Sequence, residues 1–95
     1  MPEVNLEIIK SEISVFWEND DERIQRYIDE AKAELLNYAG VDDMPFTAGT
    51  IEGSLLINLV RYKWNKMSEY FEENYKSKII SLRLKYQGLL ADEKS

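Results

Sequence analysis

The chain has 95 residues, 44% hydrophobic and 32% charged, with a net charge of −6 and neither cysteine nor histidine. That balance suits one globular domain with a modest core. The missing residue types exclude disulfides, thiolate or imidazole zinc sites, cysteine nucleophiles and histidine-based triads, so no catalytic, metal or cofactor site is expected.

Periodicity predicts helix throughout, with no period-2 strand. The opening stretch "MPEVNLEIIKSE" lacks the basic start and continuous apolar run of a signal peptide, so the chain is expected to stay in a cytoplasm unless it leaves inside a larger particle. Leu6, Ile9, Ile13 and Phe16, spaced 3, 4 and 3, predict a short first helix starting near Asn5. "ENDDE" interrupts it. Asn19 with Glu22 resembles a capping box, and Asp20, Asp21 and Glu22 suit the positive end of the next helix. The cluster lacks the alternating ligands and turn glycine of a calcium loop, so capping and solvation are expected there rather than a metal.

The second helix is predicted over residues 20–39, with Ile24, Tyr27, Ile28, Ala31, Leu35 and Tyr38 on one face and Gly40 as its left-handed stop. "GVDDMPFTAGT" is the one clear loop, broken by Pro45 and Gly49, with Thr47 or Thr50 as the next cap. The third helix, predicted over 50–67, is the most apolar. Ile51, Leu55, Leu59 and Tyr62 cluster on one side and Leu56, Val60, Trp64 and Met67 on a second, leaving Ser54, Asn58, Arg61 and Asn65 as a polar ridge. A helix of that kind has to be covered on most of its circumference and belongs at the centre of the fold. Gly49 and Gly53 match a G-x-x-x-G pattern that has force only in a transmembrane segment, and no apolar run here approaches the roughly 20 residues needed to cross a bilayer. A bend near Ser68 and a fourth helix through Leu90 complete an all-α bundle of about four helices. A single domain is expected over 1–90, with a frayed tail over 91–95.

The last helix is apolar on two sides. Phe71, Tyr75, Ile79, Leu82 and Tyr86 form one stripe, spaced 4, 4, 3 and 4, while Ile80 and Leu84 lie almost opposite. Scattered exposed hydrophobics are ordinary on any surface. Two helices with surplus apolar faces point instead to oligomerisation, as a two-fold dimer or a head-to-tail ring.

"NDDERIQRYIDEAKAELLNYAGV", then a proline-containing loop, then "GSLLINLVRYKWNK" and "EYFEENYKSKIISLRLKY" resemble the head–tail connector (adaptor) proteins of long-tailed phages and of prophages in Gram-positive bacteria. The resemblance spans residues 6–86 and rests on the order and spacing of segments, none of which is a catalytic signature. It implies a four-helix adaptor without enzyme activity, forming a ring, twelve-fold in the family, beneath the portal protein at the head–tail junction of the virion. Such a ring extends the DNA channel after packaging, helps retain the genome and offers a platform to the next connector or tail protein. DNA passes without sequence-specific binding, and no membrane is involved. A negative wall suits a sliding polyanion, although plain solubility explains the charge as well.

The expected subunit or portal contacts are Ile80 and Leu84 with the second face of the third helix, Val60 and Trp64; Trp64 is equally a core candidate. Arg61 pairs with a neighbour's carboxylate, hydrogen-bonds a loop, or stays exposed and unpaired. Met44 and Phe46 tuck under their own helices or reach a neighbouring subunit. Lys63, Lys66, Lys76, Lys78, Arg83 and Lys85 meet acidic portal surface or face solvent. The competing expectation is a small dimeric adaptor or regulatory bundle acting through the same faces. A helix-turn-helix DNA binder is disfavoured by the net charge and by the lack of a basic recognition helix.

Overall fold

The computed structural model describes residues 2–94, with side chains described from Pro2 to Gly88. Among the described residues it is all-α: α1 Leu6–Glu12, α2 Asp21–Ala39, α3 Ile51–Trp64, a 3-10 turn Ser68–Tyr70, α4 Phe71–Asn74 and α5 Lys76–Lys94. The frayed tail expected over 91–95 falls on residues whose side chains lie outside the described set, and the backbone of α5 continues to Lys94.

Helix α1 begins where its cap dictates, the Asn5 side chain accepting from the Ile8 amide at 3.0 Å. It ends earlier than its apolar spacing suggests. Ser14 has φ 60°, and the chain reverses there, with the Val15 amide donating to Lys10 O at 2.9 Å. The reversal puts Val15 in the core beside Ile9 and leaves Phe16 82% exposed, so Phe16 does not join the stripe predicted for it.

Asp20, not Asn19, precedes α2, and its carboxylate does not cap the helix. It accepts from the Trp17 indole Nε1 at 2.7 Å and pairs with Arg23 at 3.1 Å. The capping box expected at Asn19 is therefore corrected: the Asp20 carboxylate holds neighbouring side chains. The face expected of α2 holds, with Ile24, Ile28, Ala31, Leu35 and Ala39 buried, and Gly40 (φ 74°) ends the helix in the left-handed conformation.

Helices α2 and α3 form the central pair, α1 touches both, and α5 packs across both. Thr50 caps α3, its hydroxyl accepting from the Gly53 amide at 3.2 Å. Beneath this turn lies a strap with no counterpart in the periodicity. The Val4 amide donates to Phe46 O and the Ala48 amide to Pro2 O, both at 2.8 Å, and the Phe46 amide donates to a Glu3 carboxylate oxygen at 2.9 Å. Glu3 and Thr47 form an isolated antiparallel bridge. The strap presses on α3 at Gly53, where a Cβ would run into the backbone of Thr47 and Ala48.

Helix α3 stops three residues short of Met67, because Lys66 turns left-handed (φ 59°), and Met67 is left 46% exposed. The predicted single fourth helix is two, broken at Tyr75 (φ −112°, ψ 20°). Its apolar stripe survives the break because aromatic packing bridges it. Phe71 and Tyr75 stack with centroids 4.7 Å apart, and Tyr62 of α3 meets both edge-on at 5.5 and 5.6 Å. Phe71, Ile79 and Leu82 are buried, and Tyr75 and Tyr86 half-buried.

Candidate interaction surface

The interface residues proposed from sequence divide into two groups. Val60 is fully buried between the helices, and Met44 and Phe46 are 5% and 4% exposed under the strap; all three are core. They are corrected as contact residues, since a side chain already enclosed by its own subunit offers nothing to a neighbour. Trp64 is half-buried with the Arg23 guanidinium 4.7 Å above its ring, a cation–π contact within the chain. Arg61 takes its carboxylate from its own subunit, reaching Glu12 at 3.4 Å and Asn58 Oδ1 at 3.1 Å. On the second face of the third helix, Leu56 and Val60 are thus covered within a single chain, Trp64 partly so, and Met67 is left exposed.

Ile80 and Leu84 are the exception. They are 43% and 62% exposed on the outer side of α5, while Ile79 and Leu82 fix its inner side in the core. At about 100° per residue, Lys76 and Arg83 flank this pair on one edge and Lys78 and Lys85 on the other, with the small Ser77 and Ser81 between. No acidic residue occurs over residues 76–88. The Arg83 Nε donates to the last-turn carbonyl of Tyr38 at 3.2 Å, which satisfies an otherwise unpaired acceptor and seats α5 at the C-terminal end of α2. Lys85 reaches Glu52 at 2.7 Å, tying α5 to the first turn of α3. That hydrogen bond, ahead of the opposing cost of desolvation, raises the Lys85 pKa above its ordinary 10.5. Glu52 itself is 2% exposed, and the lysine is its charge partner.

A second exposed apolar feature escaped the sequence reading. Phe16 and Trp17 project from the α1–α2 connection, Trp17 held by its bond to Asp20 and 47% exposed. A signal for it was present: two adjacent bulky aromatics cannot both face the core, and the acidic run directly after them ends the helical pattern. Residues 12–22 carry Glu12, Glu18, Asp20, Asp21 and Glu22 and no basic residue. From α1, Lys10 pairs with Asp21 at 2.7 Å, and its hydrogen bond to that carboxylate is the first cause of its raised pKa. A surface cleft lined by Glu69, Glu72, Glu73 and Lys76 is open and acidic at the start of α5.

Among the described residues no group of three or more acidic side chains is arranged to hold a metal ion, and no helix is long and apolar enough to cross a membrane. Among the described residues the exposed large hydrophobics are Phe16 and Trp17 in an acidic setting, Ile80 and Leu84 in a basic one, and Met67 and Tyr70 around the 3-10 turn. Compared with protein-family models, curated proteins and solved structures, the chain finds no match in any of the three.

Proposed function

We propose that the chain is a structural subunit of a phage particle, a head–tail connector that assembles as a ring beneath the portal, lengthens the DNA channel and gives the tail its docking platform. Two things support this function: the ordered likeness of residues 6–86 to such connectors, and a terminal helix that is apolar on both sides. The single observation that carries it is the exposure of Ile80 and Leu84 on a helix whose opposite side is already buried. Exposed leucine and isoleucine one turn apart, ringed by cations, suit a protein partner of acidic surface better than solvent.

The test is co-expression with the portal protein encoded in the same genome, followed by co-purification and electron microscopy. The wild-type chain is expected to co-purify and to add a ring of density below the portal. The variant Ile80→Asp/Leu84→Asp is expected to keep its helical circular dichroism and lose the ring. Failure of the wild type to bind the portal, with a stable two-fold dimer instead, would overturn the connector function in favour of a dimeric adaptor.

A further inference from the structure

We infer that the Phe16–Trp17 projection of one copy docks on the Ile80–Leu84 face of a second copy, so that the chain associates head to tail with itself. This contact deepens the ring assignment and rests on it for closure, but its two halves are argued from the monomer.

The two surfaces cannot meet within one chain. Phe16 and Trp17 precede the first turn of α2, while Arg83 is bonded to Tyr38 near its last turn. At 1.5 Å rise per residue those ends of α2 are roughly 26 Å apart. They are also unlike in charge. With the internal ion pairs set aside, Glu18 and Glu22 remain beside the projection, and Lys76, Lys78 and Arg83 beside the α5 face. None of these five has an opposite-charge partner among the described residues. Pairing α5 with its own copy would set Lys78 and Arg83 against themselves, and pairing two projections would do the same with Glu18 and Glu22. Like-charge juxtaposition disfavours both isologous contacts, and only the unlike pairing brings attraction and apolar burial together. Ser77 and Ser81, beside Ile80 and Leu84 on the same side of the helix, are small and exposed. A contact between different surfaces propagates, closing as a ring when its rotation allows. Two aromatics bury only a few hundred Å², roughly, against the ~1,000 Å² of a stable interface, so a single such contact is weak and a trapping assay is required.

The chain has no cysteine, so introduced thiols are unique. Phe16→Cys and Leu84→Cys, both at exposed positions, are mixed in equal amounts and treated with a short bis-maleimide. Unlike pairs are expected to exceed the statistical half of all cross-linked dimers. That excess should fall between about 0.01 M and about 1 M salt as the Debye length shrinks from about 30 to about 3 Å. The double variant Phe16→Cys/Leu84→Cys should give a ladder of multimers. Trp17→Cys with Ile80→Cys is an independent pair expected to behave alike. Unlike pairs at or below half, or no cross-linked product from either pair, would overturn the contact. Portal binding is a separate readout: a chain that docks on the portal without unlike cross-links refutes the pairing alone, and the reverse result refutes only the connector function.

Discussion

Replacing Gly53 by alanine sets two effects of known size against each other. An alanine inside a helix is favoured over glycine by about 1 kcal/mol. Here the added Cβ would stand against the carbonyl oxygen of Thr47, 2.8 Å from its carbonyl carbon and 3.3 Å from Ala48 Cα. Those are backbone atoms pinned by the strap, not the far end of a mobile side chain. Forcing a methyl into a filled site costs about 1–3 kcal/mol. The escape, lifting the strap, would bring Val4, Met44 and Phe46 toward water at about 1.5–3 kcal/mol for each side chain fully exposed. The steric term wins, and a net loss of up to about 2 kcal/mol is expected. At roughly 4–8 °C per kcal/mol for a domain this small, the melting temperature should drop visibly. Urea and thermal unfolding followed by circular dichroism measure it. Gly88→Ala supplies the contrast, because its Cβ would meet nothing within 4 Å; that variant should gain about 0.5–1 kcal/mol. If Gly53→Ala were as stable as Gly88→Ala, the close approach of the strap to α3 would be refuted.

Lys85→Met strands the buried Glu52 carboxylate and should cost about 1–3 kcal/mol in urea unfolding, with Glu52→Gln/Lys85→Met recovering much of the loss. Stability should also decline in alkali. Lys10 and Lys85 have folded pKa values above their ordinary 10.5, and burial first of all raises those of Tyr38 and Tyr86 above 10.0. The folded state therefore holds these protons longer than the unfolded one, and the stabilisation present below about pH 10 is lost as the pH climbs through the folded values. A urea titration repeated from pH 8 to 11, roughly, checks the sign. Val60→Asp, which places a charge in the core, should unfold the domain, whereas Ile80→Asp should stay within about 0.5 kcal/mol of the parent.

Where a residue's local pattern and its packing agree, the sequence was a good guide. The α2 face, the Gly40 stop, the Thr50 cap and the Phe71-to-Tyr86 stripe depend on neighbours three or four residues away, and each appears in the fold. Misreadings fall where long-range contacts decide. Whether Val60 is core or surface depends on α1, α2 and α5 closing around α3, which no helical wheel reports. The strap joins residues 2–4 to 46–48 by backbone hydrogen bonds, invisible to side-chain periodicity. Ser14 and Lys66 adopt left-handed backbone without being glycine, and each ends a helix early; Phe16 and Met67 were misplaced for that reason. Of the surface residues singled out, Ile80 and Leu84 were legible because their stripe opposes another on the same helix. Phe16 and Trp17 were not, because their exposure follows from that left-handed turn.

The two tryptophans lie in different settings. Trp17 stands half in solvent on the projection with its indole nitrogen bonded to Asp20, and Trp64 lies against the fold under a guanidinium. Their emission can therefore be separated by a collisional quencher, which reaches the first far more readily than the second. One chain thus carries two built-in optical reporters, Trp17 placed to report the proposed association between copies and Trp64 the loss of the native state, so that both can be tested in a single titration without any attached dye.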